Sequence, residues 1–178
     1  MDTRTAIKEQ FIREYKKKDF ALITVKALCA ATPVARTTFY SYYDNTASVK
    51  EEIENELIGG LQAVADKTAD GNYPNMEFPD FLNGIEDYMK EHWSFFYAFL
   101  ICQPNHSFVE KWKNAIKGNF GKRYPDKIGI KNYDLIAEMI ASAVIGAYVH
   151  WIKNPETVQT KEIKTLITEI LEAVMPLM

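Results

Sequence analysis

Apolar residues recur along this chain at helical spacing, and strand-like alternation is rare. Ile7, Phe11, Ile12 and Tyr15 mark one face of a helix over 3–18, with Lys8, Arg13 and Lys16 to Lys18 on the wet side. Asp19-Phe20 ends that helix. Thr24 is placed to cap a short helix from Val25 to about Ala31, because its hydroxyl can accept from a free backbone N–H. Thr32-Pro33-Val34 reads as a turn. A third helix spans 35–43, broken by Asp44-Asn45. Asn45, Thr46 or Ser48 caps a long fourth helix, and Ser48-x-x-Glu51 has the form of a capping box. Val49, Ile53, Leu57, Leu61 and Val64 carry its apolar stripe.

The turn formers of 69–79, among them Asp70-Gly71-Asn72 and Pro74-Asn75, mark the clearest linker. Helices follow near 79–91, 92–102 (aromatic), 106–120, 132–153 and 160–175, separated by Gln103-Pro104-Asn105, a loop near 121–131 and Asn154-Pro155. The pattern predicts an all-α fold of about nine helices without a sheet. A three-helix head, residues 1–48, carries a helix-turn-helix, and a helical body, residues 49–178, follows it.

Charge sharpens this division. Residues 1–48 hold eight Lys/Arg against five acids, a net of +3, while the whole chain is −3. A basic head on an acidic body suits contact with phosphates at one end only. Ile23 to Asn45, ITVKALCAATPVARTTFYSYYDN, supplies a bracing helix, a turn and a second helix with polar and aromatic residues outside. Phe39 and Tyr43, four apart, face the core. Thr37 and Thr38 are then available to base edges, Tyr40, Ser41 and Tyr42 to phosphate oxygens, and Arg36 to either. Thr24 holds a phosphate beside the free N–H groups of the bracing helix. The competing reading of this cluster is an ordinary exposed helix; Lys16 to Lys18 read as a solvated face.

The head resembles the TetR/AcrR family of regulators through Ile23-Thr24-Val25-Lys26, Ala31, Val34, Thr38-Phe39-Tyr40 and Tyr42-Tyr43-Asp44-Asn45. The body resembles one of the family's regulatory C-terminal types more loosely, through Phe96-Tyr97, Phe99-Leu100, the Phe108 to Trp112 helix and the Ala141 to Trp151 helix. The resemblance implies a homodimer on palindromic double-stranded DNA, a ligand pocket in each body, and a DNA side that includes Thr37, Thr38, Tyr40 and Tyr42. Lys26 belongs to the matched motif, and Thr46 stands where the family usually has a phosphate-contacting lysine. Two further departures are Pro33 in place of the usual turn glycine and Ala35 in place of a capping serine or threonine. They keep open an alternative: the same fold acting as a coactivator or protein-interaction module with little or no direct DNA binding.

In the body, Trp93, Phe96 and Trp112, with His92, Cys102 or His106 as polar anchors, are candidates to line a pocket for a small apolar or aromatic effector. Plain core is the competing reading. Small residues at 137, 141–143, 146 and 147, with the stripe Ile163, Leu166, Ile167, Ile170, Leu171 and Val174, suit a four-helix dimer interface through 132–153 and 160–175. His92, His106 and His150 do not have metal-site spacing, and no nucleophile elbow or phosphate-binding glycine loop occurs. No catalytic residue, metal or cofactor is expected; a helical ligand-binding enzyme is the remaining alternative. Two distant cysteines and a polar N-terminus fit a reduced, cytoplasmic setting with no membrane span.

Overall fold

The computed structural model describes residues 2–174. Among the described residues there are nine α-helices and no strand: α1 (Thr3–Tyr15), α2 (Val25–Ala30), α3 (Arg36–Tyr40), α4 (Thr46–Ala69), α5 (Phe78–Glu91), α6 (Trp93–Tyr97), α7 (His106–Arg123), α8 (Tyr133–Lys153) and α9 (Thr160–Val174). Residue 175, expected at the end of the last helix, lies outside the described residues, as do residue 1 of the head and 176–178 of the body.

The chain forms two compact units. The first holds the described residues through Leu57 together with His92–Asn105; the second holds Ile58–Glu91 and the chain from His106 onward. The first unit therefore extends beyond the expected head boundary at 48. The aromatic segment supplies the reason. Phe96, Ala98, Phe99 and Leu100 are buried, and the Phe99 ring meets Tyr15 of α1 edge-on at 5.2 Å. Fully burying each large side chain of this kind contributes roughly 2–3 kcal/mol. After α6 the backbone widens into a π-helical turn, Ala98–Cys102, closed by Gln103 N–H donating to the Ala98 carbonyl at 3.1 Å. Gln103 then holds the end of α1. Its amide donates to the carbonyls of Tyr15 and of Lys18, the latter at 2.6 Å, and its oxygen accepts from Phe20 N–H at 3.0 Å.

The rest of the first unit packs around Ile7, Phe11, Ile12, Leu28, Phe39 and Ile53, all at most 2% exposed. Thr24 caps α2 by accepting from Ala27 N–H at 3.2 Å. Asn45 caps α4, accepting from Ala47 N–H and Ser48 N–H at 2.8 and 3.1 Å. Of the three candidate caps it wins because the helix already runs at Thr46. Ser48 thus sits inside the helix, and the Ser48–Glu51 capping box does not form there.

In the second unit, α8 lies against α7 and α9. By length and composition α8 is long and apolar enough to cross a membrane. Its Ala137, Ile140, Ala141, Ile145, Tyr148, Trp151 and Ile152 are buried, as expected of a central core helix. Phe120, Ala137 and Ile140 form a cluster on which Leu171 and Val174 of α9 pack. Glu86 of α5 is 6% exposed and accepts from Lys164 at 2.6 Å, from Thr160 at 2.7 Å and from Lys90. It joins α5 to the start of α9. The linker after α4 turns through Asp70 and Gly71, whose φ of 75° is one that glycine adopts without Cβ strain.

Candidate nucleic-acid interface and body cavity

The helix-turn-helix is built by burying one residue from each part. Leu28 of α2, Val34 of the turn and Phe39 of α3 are 0%, 8% and 0% exposed. The turn needs no left-handed residue: among the described residues positive φ occurs at Asp70, Gly71, Gly129 and Asn132 only. Pro33 is therefore compatible with it. Thr32 donates its hydroxyl to the Leu28 carbonyl at 2.9 Å, tying the turn to α2.

The helix α3 is shorter than the expected 35–43. It regularly spans Arg36–Tyr40, and Tyr42 and Tyr43 N–H groups close on the Phe39 carbonyl at 3.0 Å. Ala35 provides no side-chain cap. Arg36, Thr37, Tyr40, Ser41 and Tyr42 are exposed, and Thr38 is half-buried. Tyr40 and Tyr42, at 57% and 43%, are large rings left in solvent. The Ser41 hydroxyl donates to the Thr38 carbonyl at 2.7 Å, so its oxygen is left chiefly as an acceptor, which suits a phosphate less than an N–H group. Lys26 and Thr24 are exposed on α2 and at its cap. The Thr46 hydroxyl turns inward, donating to the Ile23 carbonyl at 3.4 Å.

One contributor was not legible from the sequence. The Arg4 guanidinium of α1 lies 5.7 Å from the Tyr42 ring centre and 5.8 Å from that of Tyr43, and it pairs with Glu52 at 2.8 Å. Tyr43 donates to the same carboxylate at 3.0 Å. Burial and this carboxylate push the Tyr43 phenol up to about 12, so it stays a donor. The network fixes the end of the exposed segment to α1 and α4. Lys8 extends it to Glu56 at 2.5 Å.

The second unit contains a cavity of about 80 Å³ walled by α5, α7, α8 and α9. Phe78, Phe81, Trp112, Phe120 and Tyr124 make its walls aromatic. Of the residues expected at a pocket, Trp112 lines it. Trp93, Phe96 and Cys102 belong to the first unit, where the aromatic segment serves the core; His106 is the exposed first residue of α7. Tyr148 and Asn119, which the sequence reading passed over, both line the cavity. The Tyr148 hydroxyl and Asn119 Oδ1 are buried with no hydrogen-bond partner among the described residues. Asn119 interrupting the stripe Trp112, Ile116, Phe120 is a signal that was available.

One compact unit thus carries a helix-turn-helix and the other is built from further helices. A family profile, "Transcriptional regulator C-terminal region" of the TetR type, matches residues 77–173. The chain belongs to the TetR family of transcriptional regulators. Solved structures share the fold. The TetR transcriptional regulator from Streptococcus agalactiae 2603V superposes with a TM-score of 0.70 at 18% identity, over 94% of this chain and 92% of its own. A candidate transcriptional regulator from Pseudomonas aeruginosa PAO1 gives 0.67 at 12% identity, over 96% and 89%. No curated protein matches the chain.

Proposed function

We propose that the protein binds a palindromic operator in double-stranded DNA as a homodimer in the cytoplasm, acts as a repressor, and responds to a small ligand in its body. The observation that carries this reading is the solvent-facing surface of the short α3, with Arg36, Thr37, Tyr40 and Tyr42 exposed around a buried Phe39. Thr37 and Thr38 read base edges; Tyr40, Tyr42, Lys26 and Thr24 position the helix on phosphates, while Ser41 and Thr46 add little because their hydroxyls already donate to the Thr38 and Ile23 carbonyls. The proposed functional division is 1–48 as the reading head and 49–178 as the body, with 49–57 and 92–105 of that body packed into the first compact unit.

Support for the homodimer comes from the outer face of α8 and α9. Leu135, Met139, Leu166 and Ile170 are 44–62% exposed, and Ser142, Ala143 and Gly146 lie exposed among them. Ala137 and Ala141 are spent on the core instead. Two copies of such a face bury each other across a two-fold axis. The same helix, α4, contributes residues to both compact units. A ligand that binds one setting of α4 better than another shifts the spacing of the two heads, provided the affinities differ.

Ala35, which offers no cap, and Thr46, turned inward, favour a second reading: a coactivator or interaction module with weak direct DNA binding. Selection of genomic fragments by the purified protein separates the two. Enrichment of a palindromic site supports the operator reading. No enrichment by a folded dimer overturns it in favour of a protein partner.

A further inference from the structure

Tyr42, which the proposed function places on a phosphate, stands two residues past the end of α3 and is 43% exposed. A large ring in solvent samples several rotamers, and fixing one of them on binding costs affinity. The two adjacent tyrosines are held differently. Tyr43 is 3% exposed, and its hydroxyl is fastened to Glu52 at 3.0 Å. Tyr42 has the Tyr43 ring at 6.5 Å between centres and, closer, the Arg4 guanidinium of α1 at 5.7 Å from its ring centre.

Arg4 is itself anchored. Its Nη2 pairs with the Glu52 carboxylate at 2.8 Å, and its guanidinium lies 5.8 Å from the Tyr43 ring centre. The same carboxylate takes Lys8 at 3.4 Å, and Lys8 reaches Glu56 at 2.5 Å. Two cations and two carboxylates balance, so this cluster brings no net charge to a phosphate. What it supplies is a fixed cation facing an exposed ring, an attraction that favours one ring position over the others. We infer that Arg4 is a positioning residue for DNA binding: it holds the Tyr42 ring where the phenol hydroxyl donates to a phosphate, without contacting the phosphate itself. The inference rests on the operator reading and deepens it by adding α1 to the elements that set affinity.

The test is a double-variant cycle on Arg4 and Tyr42 in the full-length protein, read as affinity for a genomic fragment selected by the wild type. Arg4→Met keeps an aliphatic stem and removes the cation. Glu52 retains Tyr43 and Lys8 as donors, and circular dichroism checks the fold. A cation on an exposed ring is good for roughly a two- to fivefold effect in each head, so Arg4→Met is expected to lose roughly 5- to 25-fold in a dimer. Arg4→Lys, which restores a cation, is expected to recover most of that loss. In a Tyr42→Ala background, Arg4→Met is expected to cost less than about twofold, because residues that act as one unit are not additive. A merely structural role would lower affinity equally in both backgrounds. Equal losses in the two backgrounds, either single variant binding as tightly as the wild type, or a salt slope shallower by about 2 in Arg4→Met, the mark of one lost phosphate contact in each head, overturns the assignment. A wild type that selects no fragment overturns the operator reading and this inference with it, whereas the other outcomes leave the operator reading standing, so the two failures are told apart.

Discussion

Asn105 donates its side-chain amide to the carboxylate of Glu54 at 2.7 Å, with both residues almost wholly buried, at 5% and 1% exposure. This bond joins the end of the aromatic segment to α4 within the first unit, and Lys50 lies 3.7 Å from the same carboxylate. A buried carboxylate tolerates desolvation only while donors surround it. Asn105→Ala is therefore expected to destabilise the protein by about 2 kcal/mol, lowering the Tm by roughly 4–8 °C. Thermal unfolding checks this. A change within error would mean that Glu54 is satisfied without Asn105.

Tyr148 makes the opposite prediction. Its hydroxyl is buried and unpartnered, and burial pushes its pKa up, so it remains protonated. Removing it eliminates an unmet donor while the ring keeps its stacking on Trp112 at 5.9 Å. Tyr148→Phe is expected to stabilise the ligand-free protein by about 1 kcal/mol, raising the Tm by roughly 2–4 °C. A lower Tm would show that the hydroxyl is already satisfied.

Glu86 sets an acid limit on stability. Burial alone would raise its carboxyl, but donation from Lys164, Lys90 and Thr160 outweighs this and holds it at about 2, below the ordinary 4.5. A depressed folded-state pKa contributes stability that is fully present above the unfolded value and is lost as pH falls through the folded one. Unfolding free energy is expected to drop by about 2 kcal/mol between about pH 5 and pH 2 on account of this group. In Glu86→Gln that part of the acid dependence should vanish, as denaturant titrations at a series of pH values would reveal. An unchanged pH profile would remove Glu86 from the account.

The outer face of α8 and α9 is tested by charge. Leu166 and Ile170 are 55% and 44% exposed in the single chain. If they meet a second copy, Leu166→Glu/Ile170→Glu places four carboxylates in the interface and should convert a dimer into a folded monomer in sedimentation velocity. A dimer that persists in the variant places the interface elsewhere.

The helical architecture was legible because the apolar stripes of α4, α8 and α9 persist over several turns. The exposed face of α3 was legible too, since Phe39 and Tyr43 pointing inward leaves Thr37, Tyr40 and Tyr42 outside. Other features depended on tertiary choice. Nothing in the local pattern says whether Trp93 to Phe99 faces a cavity or a core; packing of Phe99 on Tyr15 decides it. Gln103 and Asn105 complete the recruitment of 92–105 into the first unit with their hydrogen bonds, yet in sequence they read only as helix breakers. Arg4 was one more charge on a wet face until α1 placed it over Tyr42. Tyr148 lay inside an apolar run, where a phenol looks like any other large core residue.

The most direct test of the central claim is the affinity of purified protein for a selected genomic fragment, measured from 50 to 200 mM salt beside Thr37→Ala/Tyr40→Ala. About four charged phosphate contacts in the dimer, from Lys26 and Arg36 of each head, predict that wild-type affinity falls roughly 10²-fold across this range. The double variant, folded and dimeric, is predicted to lose at least about tenfold at any one salt concentration, since one good base contact alone contributes about 1–3 kcal/mol. Affinity indifferent to salt, or a variant that binds as tightly as the wild type, would contradict the assignment of α3 as the DNA-reading helix.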